Sequence, residues 1–363
     1  MSDVDPRREA DARVMRRALA LARRGWGQTA PNPMVGAVVV RDGAIVGEGF
    51  HARHGEAHAE RVALEQAAER ARGATLYVTL EPCNHQGKQP PCAPFVARSG
   101  VARVVVATRD PNPHAAGGIA VLEQAGIAVD VGVEEAEARE LNAAFFHRFA
   151  ADRPWVTLKL AVSVDGAIAD AARSRGWLTG PQARREVHRL RADADAIAIG
   201  IGTALADDPL LTVRGRIKPR VPPLRVVFDR EARLPLASRL VRTAVQAPLL
   251  VITNGSFPAR EAALHEAGAR VLRAEGTDQA LRALRGEGIH SLFAEGGAGL
   301  AGALLAAKTV DRLIIFRAPI LLGGGALPAF SMAPASPLEG APRLRVVKQR
   351  RLGEDEMTIY AMH

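Results

Sequence analysis

Strand-like and helix-like segments alternate along most of this 363-residue chain, and one short polar segment interrupts the alternation. The interruption is Ala150–Pro154, and a new strand pattern begins directly after it at Trp155. Strands that alternate with helices predict sheets covered by helices, the α/β class of fold. A chain of this length also suits two domains. The sequence therefore predicts two α/β domains, at residues 1–150 and 151–363.

The individual elements follow from apolar periodicity and from turn residues such as Asp42-Gly43, which predicts a β-hairpin. In the first half we expect helices at Arg7–Arg24, Ala57–Ala71, Ala93–Ser99 and Ile119–Ala125, and strands at Val35–Val40, Ala44–Gly49, Thr75–Leu80 and Val101–Ala107. The later strands of this half should be largely parallel. In the second half we expect strands at Trp155–Ala161, Ala196–Ile199, Leu224–Phe228, Leu249–Thr253, Ser291–Ala294 and Arg312–Ala318, and helices at Gln182–Asp193, Ala259–Ala267, Gln279–Arg285 and Leu300–Lys308.

Composition excludes several classes of protein. The chain is 48% hydrophobic and 24% charged, which is close to the average of folded globular proteins. No apolar run approaches the ~18 residues that a membrane-spanning helix needs. The segment Met1–Glu9 is charged and lacks the apolar core of a secretory signal. Two cysteines cannot form a disulfide framework, so we expect a reducing, cytoplasmic location and no membrane partner.

The formal charge of +9 raises the question of a nucleic-acid partner. Almost all of the positive charge belongs to arginines that are scattered along the chain, often beside acidic residues, as in Arg184-Arg185-Glu186. A nucleic-acid-binding segment would concentrate its basic residues on one arm or helix. We therefore expect no nucleic-acid partner, whereas a positive field would attract small phosphorylated ligands.

Three side chains in the first half have the spacing of a zinc site. His58 opens a predicted helix, and Cys83 and Cys92 lie in the loop after the next predicted strand. One imidazole and two thiolates leave the fourth tetrahedral position of zinc for water, whose pKa zinc lowers to ~7. Glu60 follows His58 by two residues and is the expected catalytic acid/base. His-x-Glu followed by Pro-Cys-x-x-Cys is the signature of zinc-dependent base deaminases, and both parts occur here in that order.

Two purely structural explanations, which involve no metal, compete with the zinc site. Cysteine is often buried as an apolar residue, and a histidine at a helix start can serve as a cap. Against them, the only two cysteines of the chain, Cys83 and Cys92, each follow a proline in one polar loop. We therefore expect one zinc ion per chain, bound by His58, Cys83 and Cys92.

The loop between the two cysteines departs from that signature, because eight residues, Asn84–Pro91, separate them instead of two. Together with Thr29–Gly36, Gly49–His51 and Asp110–Pro113, this loop resembles the deaminase half of the bifunctional RibD family of riboflavin biosynthesis. The resemblance covers most of residues 10–150 and implies a cytidine-deaminase-like α/β/α sandwich. It also implies contacts to the pyrimidine and phosphate of the substrate from Asn32, His51, His85, Lys88, Asp110 and Asn112.

A glycine-rich segment in the second half has the form Gly-x-Gly-x-x-Gly. It spans Gly297–Gly302, follows an apolar strand and enters an Ala/Leu-rich helix, a setting in which backbone N–H groups hold phosphate. A Rossmann NAD site would have an acidic residue about 20 residues further on. Arg317 lies there instead. A standard Rossmann domain is therefore not expected.

An ordered series of motifs in the second half resembles the reductase half of the same family, whose fold is similar to dihydrofolate reductase. The match spans about residues 155–330 and consists of Lys159–Gly166, Trp177–Gly180, Gly200–Thr203, Asp207–Arg214 and Ala294–Gly297. The resemblance implies NADPH contacts from Ala161, Trp177, Thr203, Asp207, Gly297, Ala298, Gly299, Leu300, Ala301, Gly302 and Ala303. It implies substrate contacts from Arg191, Leu211, Arg214 and Glu295.

One substrate position departs from the reductase pattern. The family usually has serine two residues before the tryptophan, where this chain has Arg175. Either Arg175 takes over that substrate contact, or Ser174 does so after a local shift. Trp177 could alternatively pack in the core, and Arg191 could lie on a solvated helix face.

The resemblance implies a bifunctional enzyme. Its zinc-dependent half would deaminate 2,5-diamino-6-ribosylamino-4(3H)-pyrimidinone 5′-phosphate. Its NADPH-dependent half would then reduce the ribosyl group, giving 5-amino-6-ribitylaminouracil 5′-phosphate. Two alternatives are a nucleic-acid base deaminase, which the charge suggests, and a metal-dependent binding protein without activity. The long cysteine loop argues against the first, and the presence of Glu60 beside three ligands argues against the second. The sequence allows a homo-oligomer without specifying one.

Overall fold

The computed structural model describes residues 6–362, so the first part of the charged segment Met1–Glu9 lies outside the described residues. The chain folds into two compact units that divide between Ala150 and Ala151. Within residues 6–362, no helix combines the length and the apolar character that a membrane span requires.

The described part of the first unit, residues 6–150, contains one five-stranded sheet in the order β2-β1-β3-β4-β5. Its strands are β1 (Gly36–Arg41), β2 (Ala44–Phe50), β3 (Thr75–Val78), β4 (Arg103–Val106) and β5 (Ala128–Val131). Its helices are α1 (Pro6–Ala22), α2 (Ala59–Ala67), α3 (Cys92–Arg98), α4 (Gly118–Gln124), α5 (Glu135–Leu141) and α6 (Ala143–His147). β1 is antiparallel to β2 and β3, whereas β3, β4 and β5 are parallel. The expectation of a largely parallel later half is confirmed.

Helices cover both faces of this sheet. On one face, Met15 of α1 and Ala138 of α5 pack in a cluster with Val38 and Tyr77. On the other face, helices α2, α3 and α4 contribute Ala63, Leu64, Val96, Ile119 and Leu122 to a second cluster. This arrangement is the α/β/α sandwich that the sequence predicts. The predicted hairpin is also present, and both of its turn residues, Asp42 and Gly43, have φ values of +50° and +77°, as its tight turn requires.

The described part of the second unit, residues 151–362, has a nine-stranded sheet in the order β11-β10-β9-β8-β12-β6-β13-β16-β15. Its strands are β6 (Trp155–Val162), β8 (Ala196–Gly200), β9 (Leu224–Phe228), β10 (Leu249–Thr253), β11 (Arg270–Arg273), β12 (Ser291–Glu295), β13 (Arg312–Arg317), β15 (Arg345–Leu352) and β16 (Asp355–Ala361), with β7 (Ala167–Ala169) and β14 (Leu327–Pro328) paired separately. Neighbouring strands are parallel across the part of the sheet that runs β11-β10-β9-β8-β12-β6-β13. Strand β16 is antiparallel to β13, and β15 is antiparallel to β16. This order differs from the Rossmann order, as expected.

Helices also cover both faces of the larger sheet. They are α7 (Pro181–Arg191), α8 (Ile201–Asp207), α9 (Arg239–Arg242), α10 (Pro258–Glu266), α11 (Thr277–Gly286) and α12 (Ala298–Ala306). Leu284 of α11 and Leu304 of α12 pack on one face, and Val187 of α7 and Leu264 of α10 pack on the other. Because β6, β8 and β12 are neighbours and parallel, the loops after these strands meet at one edge of the sheet.

Candidate active sites of the two units

The predicted zinc ligands of the first unit lie together. His58 is the residue just before α2 and makes no capping hydrogen bond with its side chain. Its Nδ1 lies 3.6 Å from Cys83 Sγ and 3.3 Å from Cys92 Sγ. The three ligand atoms lie within 4.8 Å of one another. A hydrogen bond with the Cys92 thiol lowers the pKa of Cys83, although burial opposes the shift. One imidazole and two sulfur ligands are a donor set that suits zinc.

Glu60 lies beside this cluster on the first turn of α2. It is only 3% exposed, and burial raises its pKa to about 7, with a further contribution from Cys83. A carboxyl group with this pKa can both accept and release a proton near neutral pH, which is what general acid–base catalysis requires.

A cavity of about 430 Å³ opens next to the cluster and is lined by His58, Cys83 and Glu60. The six substrate contacts that the resemblance implies also line it: Asn32, His51, His85, Lys88, Asp110 and Asn112. Nδ2 of Asn32 lies 3.3 Å from Nε2 of His51, and Nδ1 of His51 lies 3.2 Å from the carbonyl oxygen of Ala57. Burial lowers the pKa of His51 to about 4, so this imidazole is neutral at physiological pH.

Glu81, which the sequence analysis did not select, holds the loop on the far side of the cavity. Its carboxylate accepts hydrogen bonds from the backbone N–H groups of Asp110 (3.1 Å), Gly117 (3.0 Å) and Ile119 (3.1 Å). Asp110 in turn accepts a hydrogen bond from the N–H of Asn112 at 2.8 Å, and burial raises the pKa of Asp110 to about 6. The polar groups of this loop are therefore fixed before a ligand arrives.

Three further lining residues come from α6 and the residues after it. They are Phe145, Arg148 and Phe149. The rings of Phe145 and Phe149 meet edge to face at 5.3 Å, and the Arg148 guanidinium lies 5.6 Å from the centre of the Phe149 ring. These residues place an aromatic and cationic wall against the cavity. These three residues belong to no recognised motif, so the sequence alone offers no reason to assign them to the site.

In the second unit, Arg191 and Glu295 form a buried ion pair at the ends of α7 and β12. Arg191 Nη2 lies 2.9 Å from Glu295 Oε2, and a second hydrogen bond joins Arg191 Nε to Oε1. Burial alone would raise the pKa of Glu295, but the charge of Arg191 holds it below its usual value. Arg191 is 9% exposed and also donates to the carbonyl oxygen of Thr212 at 3.0 Å. The alternative of a solvated helix face for Arg191 is therefore wrong.

Lys159 lies opposite Glu295 in the register between β6 and β12. Burial lowers its pKa, and the charges of Glu295 and Asp207 oppose this shift. Its Nζ lies 5.6 Å from the centre of the Phe316 ring. Lys159 belongs to a motif that the sequence analysis used, yet it was not selected as a site residue. A lysine on an otherwise apolar strand was the signal that could have identified it.

The glycines of the Gly-x-Gly-x-x-Gly segment have separate roles. A Cβ on Gly297, the residue before α12, would lie 2.9 Å from Thr203 Oγ1, and a Cβ on Gly302 would lie 2.2 Å from the carbonyl oxygen of Met332. A Cβ on Gly299 would meet no atom within 4 Å. The first and third glycines therefore permit close packing, whereas the second borders open space at the start of α12. Thr203 and Gly297, two predicted cofactor contacts, lie together.

The remaining predicted positions of this unit differ in exposure. Trp177 is 73% exposed, and the Arg184 guanidinium lies 5.2 Å from the centre of its ring, so core packing of Trp177 is wrong. The N–H and the side chain of Ser174 are both hydrogen-bonded to Asp170. Burial raises the pKa of Asp207, and the charge of Arg175 opposes this shift, which places Arg175 near a predicted cofactor contact.

Comparison with known proteins identifies the family. Residues 154–358 match the sequence model of the RibD C-terminal domain, and residues 8–108 match that of the cytidine and deoxycytidylate deaminase zinc-binding region. The chain is 44% identical to the riboflavin biosynthesis protein RibD of Aquifex aeolicus, over 96% of this chain and 97% of that protein. It is 41% identical to RibD of Escherichia coli, over 95% and 97%. This chain belongs to the RibD family.

Solved structures of RibD proteins have the same fold. The Acinetobacter baumannii RibD structure is 37% identical, with a TM-score of 0.85, and covers 98% of this chain and 99% of that one. A Thermotoga maritima structure is 34% identical, with the same TM-score of 0.85, and covers 98% and 100%. The expected fold class is confirmed, and so is a bifunctional deaminase–reductase of riboflavin biosynthesis. As an enzyme, the chain is not the inactive binding protein that was one alternative.

Proposed function

We propose that this RibD-family chain carries out two consecutive steps on one phosphorylated pyrimidine. Its first unit would deaminate 2,5-diamino-6-ribosylamino-4(3H)-pyrimidinone 5′-phosphate, and its second unit would reduce the ribosyl group of the product to ribityl. The observation that carries the proposal is the cluster of His58, Cys83 and Cys92 next to a cavity that Glu60 also lines. The substrate class comes from the Thermotoga maritima relative, a diaminohydroxyphosphoribosylaminopyrimidine deaminase and 5-amino-6-(5-phosphoribosylamino)uracil reductase.

In the first unit, His58, Cys83 and Cys92 would hold one zinc ion. When bound, zinc lowers the pKa of water to ~7 and so makes hydroxide available at neutral pH. Glu60 would accept the proton of that water and return it to the leaving amine, so that ammonia departs as the ring carbonyl forms. The free thiols that this ligand set requires suit a reducing cytoplasm.

The polar groups of the same cavity fit a phosphorylated pyrimidine. Asn32, Asp110 and Asn112 offer the amide and carboxyl groups that can meet ring nitrogens, and neutral His51 is held by Ala57. Lys88, with His85 beside it on the same loop, would bind the phosphate. A cavity of about 430 Å³ suits a nucleotide-sized substrate and not a polynucleotide.

In the second unit, we place NADPH along the edge where β6, β8 and β12 end. Its contacts would be Ala161, Trp177, Thr203, Asp207 and the segment Gly297–Ala303. When bound, NADPH would supply a hydride to C1 of the ribosyl group. The bond between C1 and the ring oxygen would break as the hydride arrives, and the released oxygen would need a proton. Lys159, whose pKa burial lowers, is suited to donate it.

The substrate of this unit would contact Arg191, Leu211, Arg214 and Glu295, with Arg214 suited to the phosphate. Because Ser174 is hydrogen-bonded to Asp170, we assign the contact that serine makes in the family to Arg175. NADPH is preferred to NADH in this proposal, since no acidic residue follows the glycine-rich segment at the position that binds an unphosphorylated ribose.

Two assays on the purified protein test the proposal. The first follows the ultraviolet change and ammonia release on adding the diaminopyrimidine phosphate. The second follows NADPH oxidation on adding the already deaminated intermediate. We expect turnover in both and about one zinc per chain. Deamination of a free nucleoside or an RNA, with no reaction of the diaminopyrimidine phosphate, would overturn the proposal in favour of a nucleic-acid base deaminase.

A further inference from the structure

Arg225 is a buried cation that the proposed reaction does not use. It lies on β9 and is 1% exposed. Among the described residues, its guanidinium donates only to uncharged oxygens: Leu210 O (3.2 Å), Leu240 O (3.1 Å), Thr243 O (3.1 Å), Thr243 Oγ1 (2.8 Å) and Ala247 O. A buried charge is costly unless hydrogen bonds replace its hydration. The four carbonyl groups and the Thr243 hydroxyl replace it at both terminal nitrogens, whereas Nε of Arg225 has no hydrogen-bond partner among the described residues.

The acceptors belong to two separate segments. Leu240, Thr243 and Ala247 lie in α9 or just after it, whereas Leu210 lies in the loop between α8 and β9. The rigid fork of the guanidinium can donate in several directions at once. Arg225 is therefore a bridge between that loop and the end of α9.

The loop that Arg225 contacts has an unfavourable backbone. Asp208 and Leu211 have φ values of +41° and +52°, a region that residues with a Cβ rarely adopt. Such conformations persist where the surroundings determine them. Two further hydrogen bonds support the same loop, from the N–H of Arg239 to Asp208 Oδ1 at 2.8 Å and from Arg191 Nη1 to the carbonyl oxygen of Thr212 at 3.0 Å.

This loop carries two of the proposed substrate contacts of the reductase, Leu211 and Arg214, and it directly follows Asp207, the last residue of α8 and a proposed NADPH contact. The Leu210 carbonyl that Arg225 holds immediately precedes Leu211. We infer that Arg225 is a positioning residue of the reductase, which fixes Leu211 and Arg214 in the conformation that binds the sugar phosphate. This inference rests on the function proposed for the second unit.

Arg225→Lys is the most direct test, since lysine keeps the charge but cannot span both segments with a rigid fork. We expect the KM for the deaminated substrate to rise by about tenfold or more, while kcat and the KM for NADPH change by less than about threefold. Amide hydrogens at 210–213 should exchange faster with solvent, which a loss of catalytic groups alone would not cause. Arg153→Lys is the matched control, because Arg153 is a largely buried arginine that pairs with Asp311 in the same unit.

A folded Arg225→Lys protein with unchanged substrate KM and unchanged exchange at 210–213 would overturn the inference. So would a fall in kcat alone that matches a loss of folded protein, since that result indicates a purely structural role. If Arg225→Lys does not fold, Asp208→Ala removes a different hydrogen bond of the loop, the one from the N–H of Arg239, and should raise the same KM, and an unchanged KM there also overturns it. Failure of the unsubstituted protein to oxidise NADPH would instead refute the proposed function, and the exchange measurement would still test the bridge.

Discussion

Two buried carboxyl groups of the first unit, Glu60 and Glu81, show how surroundings give the same side chain different roles. Glu81 accepts three backbone hydrogen bonds, which tie its carboxylate to the loop that carries Asp110. Burial is the main influence on Glu60, and its pKa is about 7. Glu81 therefore supports a loop, whereas Glu60 can exchange a proton.

Glu60→Gln should keep its zinc and its fold, while deamination falls by at least about a hundredfold, because glutamine cannot accept and return a proton. Ammonia release and metal content measure the two effects. Reduction of the deaminated intermediate should be unchanged. Glu65→Gln, on the same helix with its side chain 57% exposed, is the control and should leave both reactions intact. A joint loss of deamination and reduction in a folded, zinc-loaded Glu60→Gln protein would contradict two separate sites.

Cys83→Ser should lose most of its zinc, because a hydroxyl oxygen is a poorer zinc ligand than thiolate. Metal analysis of the purified protein measures the loss. The same result is expected for Cys92→Ser, whose sulfur lies 3.3 Å from His58 Nδ1. Full zinc content in Cys83→Ser would show that Cys83 is not a ligand.

Of the residues around the cavity, the sequence predicted those that belong to a motif, such as His58, Cys83 and Asp110. Phe145, Arg148 and Phe149 line the same cavity but come from a segment without a motif, and their position depends on how α6 packs. Arg225 is a similar case. Its sequence context reads as an ordinary strand, and only the folded structure shows which carbonyl groups surround it.

At the scale of elements, a buried ion pair joins α1 to the sheet of the first unit. Arg103 Nη2 on β4 lies 2.7 Å from Asp11 Oδ2 on α1, and the Tyr77 hydroxyl donates to Asp11 Oδ1 at 2.6 Å. Burial alone would raise the pKa of Asp11, but the hydrogen bonds of Arg103 and Tyr77 lower it below 3.8. The ionised carboxylate of Asp11 therefore stabilises the folded state above about pH 3.8. This stabilisation is lost as the pH falls through the lower pKa that Asp11 has in the folded protein.

Arg103→Met should destabilise the first unit by about 3–5 kcal/mol, because it leaves the Asp11 carboxylate buried without its cation. Urea denaturation at neutral pH measures this change. Arg16→Met is the control, since the Arg16–Glu134 pair has an arginine that is 51% exposed, and its loss should cost about 0–1 kcal/mol. Equal losses of unfolding free energy in the two variants would show that the buried Arg103–Asp11 pair stabilises the fold no more than the exposed Arg16–Glu134 pair.

Gly302→Ala should lower the melting temperature of the second unit, since the new Cβ would lie 2.2 Å from the carbonyl oxygen of Met332. Backbone cannot move away as easily as a flexible side chain, so α12 must shift. Gly299→Ala on the same helix adds a Cβ in open space and should not destabilise the fold. Thermal unfolding compares the two variants, and similar melting temperatures would refute the packing argument.

Elements with an apolar core-facing pattern were predictable from the sequence, and several strands match to the residue, such as Leu224–Phe228 and Leu249–Thr253. The expected helix Ala57–Ala71 ends at Ala67, because Ala68 adopts φ +50°. Strands β15 and β16 were not predicted from the sequence. Most of β15 is exposed at the edge of the sheet, so its sequence is rich in arginine and lacks the alternation that marks a half-buried strand.

At the scale of the whole molecule, the order of motifs along the chain predicted the fold class and the family. Metal ligands and glycine-rich turns are short local patterns, so their spacing can be recognised in the sequence. The order of strands in a sheet cannot be recognised in this way. Strand β6 opens the second unit, yet it lies between β12 and β13, which come more than 100 residues later. Such long-range pairing depends on the packing of many side chains at once and leaves no short pattern to read.

The position of β16 has a consequence for synthesis on the ribosome. β16 (Asp355–Ala361) pairs with both β13 and β15, so the sheet of the second unit is incomplete until residue 361 has left the exit tunnel. Until then β13 presents an open edge to the cell, where nascent chains can pair wrongly. In a series of stalled ribosome complexes, protease resistance of the first unit should appear early, and that of the second only after the β16 segment has emerged.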